Sequence, residues 1–251
     1  MFDAKKTSEE IIEFIRNYYK DNNLKGAVIG ISGGKDSGVV AGLFAKAIGA
    51  ENVLGLWLPC NSKDTDKHLA YKVATHFGFE IKDVDLTNLY NDYIDNIKKI
   101  HPDVTDENLK DANINIKPRL RTASLYYNAA LMSSLKGGTY IVPGTSNACE
   151  IFVGYFTKGG DNISDILTLA DLTVEEVIKV GEVIGVPDEV VHKAPDDGLS
   201  GLTDEEKLGV KYSDIAKVIK GEEVEKETYD KIMRLHQNNM HKFTTPTYRK
   251  N

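Results

Sequence analysis

Residues 27–31 read Ala-Val-Ile-Gly-Ile and run directly into Ser32-Gly33-Gly34-Lys35-Asp36-Ser37. Behind that hexapeptide, apolar residues recur at helical spacing: Val39, Val40, Leu43, Phe44, Ala47 and Ile48. A strand, a serine- and glycine-rich turn and a helix in immediate succession aim unpaired backbone N–H groups and a helix N-terminus at one spot, which makes an anion site. Gly33 and Gly34 let the backbone approach the anion closely. Ser32 and Ser37 add hydroxyls, and Lys35 a positive charge. Asp36 would repel a phosphate unless a cation lay between them, and so points to Mg²⁺. The run is not a Walker A loop, because Ile29 stands in its first glycine place and Asp36 in its Ser/Thr place. Nor is it a dinucleotide G-x-G-x-x-G.

The rest of the chain continues the strand–helix alternation. Thr7-Ser8-Glu9-Glu10 reads as a helix start, followed by Ile11, Ile12, Phe14, Ile15 and Tyr18 on one side. Val53–Pro59 predicts a second buried strand, 64–77 a helix ended by Gly78, and Glu80–Leu86 a third strand. Helical pattern returns over 86–100 and breaks at His101-Pro102. A long helix is expected over 115–135, stopped by Gly137-Gly138, and Tyr140–Pro143 is a fourth strand. Alternation of this kind gives an α/β fold, a parallel sheet with helices on both faces. Ligands of such sheets sit beyond the C-terminal strand ends. Both polar clusters, 32–37 and 144–150, fall there. Residues 188–203 are rich in Asp, Gly, Pro and Ser, and 193–203 reads as a mobile loop. Short helices are expected near 204–208, 212–219 and 224–239.

Composition narrows the partners. A net charge of -7 gives the surface no general attraction for nucleic acid. Lys117-Pro118-Arg119-Leu120-Arg121 still offers a local basic patch. Cys60 and Cys149 form no C-x-x-C, which argues against structural zinc and for a reducing, cytoplasmic setting. No apolar run approaches the ~18 residues of a membrane span, and the N-terminus has no secretory signal pattern.

The hexapeptide resembles the S-G-G-x-D-S pyrophosphate loop of the N-type ATP pyrophosphatases, which cleave ATP between its α and β phosphates. Further motifs sharpen the resemblance: Gly144-Thr145, Glu150, Gly154-Tyr155-Phe156-Thr157-Lys158, Asp161, Leu199–Tyr212, and His241-Lys242 near the end. In this order they are similar to the ammonia-dependent NAD synthetases over nearly the whole chain. The resemblance implies one Rossmann-like, adenine nucleotide alpha hydrolase-like domain over 1–251. Its core would span about 20–185, with a helical extension at 204–251. It implies amidation of nicotinic acid adenine dinucleotide (deamido-NAD) through an acyl adenylate, with ATP as co-substrate and Mg²⁺. Glutamine-using relatives carry an added N-terminal domain. Only about 25 residues precede the first strand here, so ammonia is the expected nitrogen donor.

By the same resemblance, Asp36 and Glu150 hold Mg²⁺ and, with Lys158, form the catalytic set. Ser32, Gly33, Gly34, Lys35, Asp36, Ser37 and Thr145 bind ATP. Arg119, Lys158, Asp165, His241 and Lys242 contact deamido-NAD. Cys149 reads as a small packed residue. Two positions depart from the family: Val174 stands where relatives often have an ATP-contacting Lys, and Asp196 where they often have Ser or Thr. A homodimer is implied, and Leu125, Ala129, Met132 and Leu135 on the long helix are the expected interface. Two other readings stay open. A tRNA-thiolating relative would need reactive cysteine pairs or a basic surface, and a nucleotide-binding module without catalysis would not need the Asp36–Glu150 pair.

Overall fold

The computed structural model describes residues 2–61, 66–193 and 203–249. Of the loop expected at 193–203, residues 194–202, including Asp196, lie outside the described residues, as do 62–65 at the expected start of the third helix.

A helix α1 (Ala4–Asp21) leads into β1 (Leu24–Gly30), α2 (Lys35–Ile48), β2 (Val53–Trp57), α3 (Lys67–Phe77) and β3 (Glu80–Asp83). Then come α4 (Thr87–Ile100), the long α5 (Asp106–Lys136), β4 (Thr139–Ile141) and a short β5 (Pro143–Gly144). After α6 (Ala148–Val153) and β6 (Ile166–Leu167) the chain is helical: α7 (Val174–Ile184), α8 (Asp188–Val191), α9 (Asp204–Leu208), α10 (Tyr212–Ile219) and α11 (Lys226–Asn239). The main sheet is parallel throughout, ordered β3-β2-β1-β4, and β5 pairs with β6 beside it. Two successive crossovers run outward from β1 to β3, and the chain then returns to the other side of β1. The crevice at the C-terminal ends of β1 and β4 is therefore the switch point where a ligand is expected.

Alternation along the central strands explains the two layers. Ala27, Ile29 and Ile31 of the first strand region, with Val53 and Trp57, pack against α1, α2 and α7 through Ile15, Phe44, Val177 and Val180. Val28, Leu54, Leu56 and Leu58 face the opposite way, onto Tyr90, Ala129 and Met132 of α4 and α5. Each fully buried side chain of this size is worth about 1.5–3 kcal/mol relative to exposure. A third cluster joins α6 to the C-terminal helices through Cys149, Val153, Tyr212, Ile215 and Ile232.

Several sequence expectations shift. The first helix begins at Ala4 rather than near Thr7, because Asp3 already caps it by accepting from the Lys6 N–H at 3.0 Å. The long helix starts nine residues early: Thr105 and Asn108 form a capping box, and Pro118 is accommodated inside the helix. Of the four residues expected at an interface, Leu125, Ala129 and Met132 pack inward on the sheet. The exposed large apolar residues of α5 are Ile114 and, one helical turn apart on another face, Tyr127, Leu131 and the fourth expected residue, Leu135. Among the described residues, no helix is long and apolar enough to cross a membrane.

Candidate active site

The loop after β1 is held open by its own hydroxyls. Ser37 Oγ donates to the Gly34 carbonyl (3.1 Å), lies 3.0 Å from Ser32 Oγ and accepts from the Ser32 N–H (3.2 Å). Gly33 takes φ +78°, and a Cβ there would sit 2.5 Å from the Asp66 carbonyl oxygen, so the tight turn requires glycine. The loop delivers Lys35 and Asp36 to the first turn of α2, where they pair at 2.9 Å with both side chains largely buried. Burial works against the Lys35 ammonium, but the field and hydrogen bond of Asp36, with Glu150 and Asp204 beyond it, hold its pKa above the ordinary value.

The second polar cluster arrives from the other side of the switch point. After β5, Asn147 caps α6: its Oδ1 accepts from the N–H groups of Cys149 (3.0 Å) and Glu150 (3.1 Å). The Glu150 carboxylate in turn accepts from the Asn147 N–H at 3.1 Å, completing a capping box. The Asn147 amide then reaches across to Asp36 Oδ1 at 3.3 Å. Burial first, and repulsion from Asp36 second, push the Glu150 carboxyl up to about 8. Two carboxylates in mutual repulsion are a pair that a cation would relieve. Among the described residues no group of three or more His, Cys, Asp or Glu gathers as a cage. A carboxylate pair is the donor set of a Mg²⁺ site that takes its remaining ligands from substrate phosphates and water.

Two cavities adjoin here. One, about 250 Å³, is lined by Leu56, Trp57, Leu58, Leu125, Val142 and the Gly144-Thr145 turn, with Ser32 and Gly34 at its edge. The other, about 610 Å³, contains Lys35, Asp36, Ser37, Glu150, Asp204 and Lys242. Asp204 is held by the hydroxyls of Tyr155 (3.0 Å) and Tyr212 (3.4 Å), which ties the C-terminal helices to the cleft.

The sequence profile of the NAD synthase family matches residues 7–246. The chain belongs to the NAD synthase family. It is 36% identical over 240 residues to the NH(3)-dependent NAD(+) synthetase of Carboxydothermus hydrogenoformans, covering 95% of each chain. It is 38% identical to that of Alkaliphilus oremlandii, over 96% and 95% of the two chains. The solved structure of NMN synthetase from Francisella tularensis is similar over 100% of both chains, with 30% identity and a TM-score of 0.89.

Against this NAD synthase frame, the residues singled out in the sequence divide. Ser32, Gly34, Lys35, Asp36, Ser37, Thr145, Glu150 and Lys242 line the larger cavity. Gly33 shapes the loop from beneath. Arg119, Lys158 and His241 lie outside both cavities, linked in series on the surface. Arg119 donates from Nε (3.2 Å) and Nη2 (3.1 Å) to the Lys158 carbonyl, and Lys158 Nζ donates to the His241 carbonyl (2.8 Å). Asp165 lies apart from them, accepting from the Val142 N–H (2.7 Å) and the Tyr126 hydroxyl (3.2 Å). Lys242 donates to the carbonyls of Gly154 and Phe156 at 2.8 and 3.0 Å. Val174, at the start of α7, packs with the C-terminal cluster. Cys149 is fully buried, and burial raises its thiol to about 11, as expected of a packing residue.

Sequence reasoning missed Asn147 and Arg121. The first was legible: Asn147 three residues before Glu150 spells a capping box. The second was legible only with the full extent of α5. Pro118, Arg121, Thr122 and Leu125 all line the smaller cavity, at i, i+3, i+4 and i+7.

Proposed function

We propose that this chain amidates the nicotinate carboxyl of deamido-NAD with ammonia, consuming ATP and giving NAD, AMP and pyrophosphate. The observation that carries the reading is the pairing of a phosphate-cradling loop after β1 with a repelling carboxylate pair, Asp36 and Glu150, across the switch point. Adenosine is assigned to the smaller, more apolar cavity, and the β and γ phosphates to the Ser32–Ser37 loop. A bare carboxylate is a poor acyl donor because its leaving group would be oxide. One carboxylate oxygen attacks the α-phosphorus, the bond to the β-phosphate oxygen breaks, and pyrophosphate leaves. Ammonia then attacks the acyl carbon, loses a proton, and AMP departs.

Asp36 and Glu150 are the residues that would hold Mg²⁺, and the ion, when bound, offsets the charge of the triphosphate. The chain's own residues do the rest. Loop N–H groups, Ser32, Ser37 and Lys35 bind the leaving pyrophosphate. Thr145 orients ATP from the opposite wall. Lys242 reaches the cleft, while Arg119, Lys158 and His241 offer a basic surface to the dinucleotide, with Asp165 farther along. Residues 1–251 are read as one domain, because Cys149 and Val153 of the core pack against Ile215 and Ile232 of the C-terminal helices. Cys60 and Cys149 are buried and in no disulfide among the described residues, which fits a reducing cytoplasm. A homodimer is assigned to the exposed α5 face of Tyr127, Leu131 and Leu135, which keeps Leu135 of the residues first expected and replaces Leu125, Ala129 and Met132.

A second reading has one observation in its favour, the TM-score of 0.89 to an NMN synthetase. The same amidation would then act on nicotinate mononucleotide, which lacks the adenylate half. Measuring kcat/KM for deamido-NAD and for nicotinate mononucleotide, each with ATP, Mg²⁺ and ammonium, separates the two. A preference for deamido-NAD supports the first reading, and a preference for the mononucleotide replaces it with the second.

A further inference from the structure

We propose that Arg121 is a further substrate-contacting residue, whose guanidinium binds the α-phosphate of ATP where the two cavities meet. This rests on the reading of the site given above and deepens it. With adenosine in the smaller cavity and the β and γ phosphates on the Ser32–Ser37 loop, the α-phosphate must pass the wall that both cavities share. Two cations belong to that shared wall, Arg121 and Lys193.

Their commitments differ. Lys193 is paired with Asp66 at 2.5 Å, and Lys35 deeper in the cleft with Asp36 at 2.9 Å. Among the described residues no ion pair joins Arg121 to a carboxylate. Its one hydrogen bond there runs from Nε to the Leu58 carbonyl at 3.0 Å, just past the end of β2. That bond fixes the guanidinium plane and leaves both terminal nitrogens for a ligand. Burial disfavours the Arg121 charge, and the fields of Cys60 and Asp161 only partly offset this. Asp161 itself accepts from the Thr157 N–H at 2.7 Å. A half-buried guanidinium with no carboxylate within ion-pair distance among the described residues, and with only the field of Asp161 on the same shared wall to offset its burial, is a poor arrangement by itself and a good one beside a phosphate, which it can grip with two N–H groups.

Helical phase separates Arg121 from Arg119. Two residues apart on α5 means about 200° apart around the axis, so they cannot serve the same pocket. Arg119 turns to the Lys158 carbonyl, and Arg121 turns in with Pro118, Thr122 and Leu125. During adenylylation the non-bridging α oxygens carry charge while the carboxylate oxygen bonds to phosphorus and the bond to the leaving β-phosphate oxygen breaks. A fixed guanidinium at that point stabilises the charge without reorganising.

The test compares adenosine with AMP, which differ by the α-phosphate alone. Titration calorimetry on the full chain and on Arg121→Gln should show adenosine affinity unchanged and AMP affinity lowered at least tenfold, the scale of one charge-assisted contact. Should Arg121→Gln fold poorly, Arg121→Lys keeps the charge but loses the fork, and should weaken AMP by a smaller factor with adenosine again unchanged. Parallel loss of both ligands would make Arg121 a support of the cavity wall and overturn the proposal, as would unchanged AMP binding. If the unaltered chain forms NAD but binds AMP no better than adenosine, the Arg121 assignment alone falls. If it forms no NAD and binds neither nucleotide, the reading beneath it falls as well.

Discussion

Asn147, fully buried, donates its side-chain amide to the Asp36 carboxylate across 3.3 Å while its carbonyl oxygen caps α6. One side chain therefore sets the position of Asp36 at the start of α2 and of Glu150 in α6. The spacing of the carboxylate pair depends on it, although Asn147 has no chemistry of its own. Asn147→Ala should lose the cap, worth about 1 kcal/mol, and leave buried N–H groups unpaired. Turnover should fall further than stability does, with the apparent Mg²⁺ requirement raised. Calorimetric melting beside a Mg²⁺ titration of activity checks this; a loss confined to stability would contradict it.

Asp36→Asn and Glu150→Gln should each cut turnover by orders of magnitude, since each removes a charge that would hold Mg²⁺ against the phosphates. The apo fold should not suffer equally. Glu150→Gln relieves the repulsion with Asp36 and keeps an oxygen to accept from the Asn147 N–H, so its melting temperature without metal should equal or exceed that of the unaltered chain. Near-normal activity at low Mg²⁺ in either variant would remove the metal assignment.

The Arg119–Lys158–His241 series makes a coupling prediction. Arg119→Ala and Lys158→Ala should each weaken deamido-NAD more than ATP, with Arg119→Ala the larger. Because Arg119 holds the Lys158 backbone directly, the double variant should lose less than the sum of the two. Steady-state KM values for both substrates in the four proteins give the cycle; strict additivity, or a loss confined to ATP, would detach these residues from the dinucleotide.

Glu176 supplies a pH test of the C-terminal attachment. It closes the capping box of α7 by accepting from Thr173 and meets Lys220 beyond α10 at 2.8 Å. Burial opposes its charge, but the bonds from Lys220 and Thr173 win and hold its carboxyl below the usual range. A depressed folded-state pKa means that this stabilisation is complete above the unfolded value of 4.5 and is lost as pH falls below it. Glu176→Gln should therefore lower Tm by roughly 2–4 °C at pH 7, the equivalent of about 1 kcal/mol. The difference should shrink as the pH drops below 4.5, and a pH-independent difference would point to packing instead.

The strand–loop–helix unit at 27–48 was legible because local pattern and tertiary role coincide: a buried parallel strand is apolar throughout, and its turn must be glycine-rich. The order of elements followed from the same alternation. What the sequence hid was mostly a matter of phase. Arg119 and Arg121 look alike in a basic run, and only the full α5, with Pro118 inside it, turns one outward and the other into the cavities. The interface residues were misplaced for a related reason: Leu125, Ala129 and Met132 share a helical face, but that face covers Leu54 and Leu56 of the sheet. β5 and β6 are two residues each, too short to carry any period.

Activation of the nicotinate carboxylate as its adenylate can be read directly from where its oxygen goes. Deamido-NAD labelled with ¹⁸O in its nicotinate carboxyl should be supplied with ATP, Mg²⁺ and ammonium, and the products weighed by mass spectrometry. NAD, AMP and pyrophosphate should form in equal amounts, with one ¹⁸O transferred to the phosphate of AMP. Label in inorganic phosphate, with ADP in place of AMP, would contradict it.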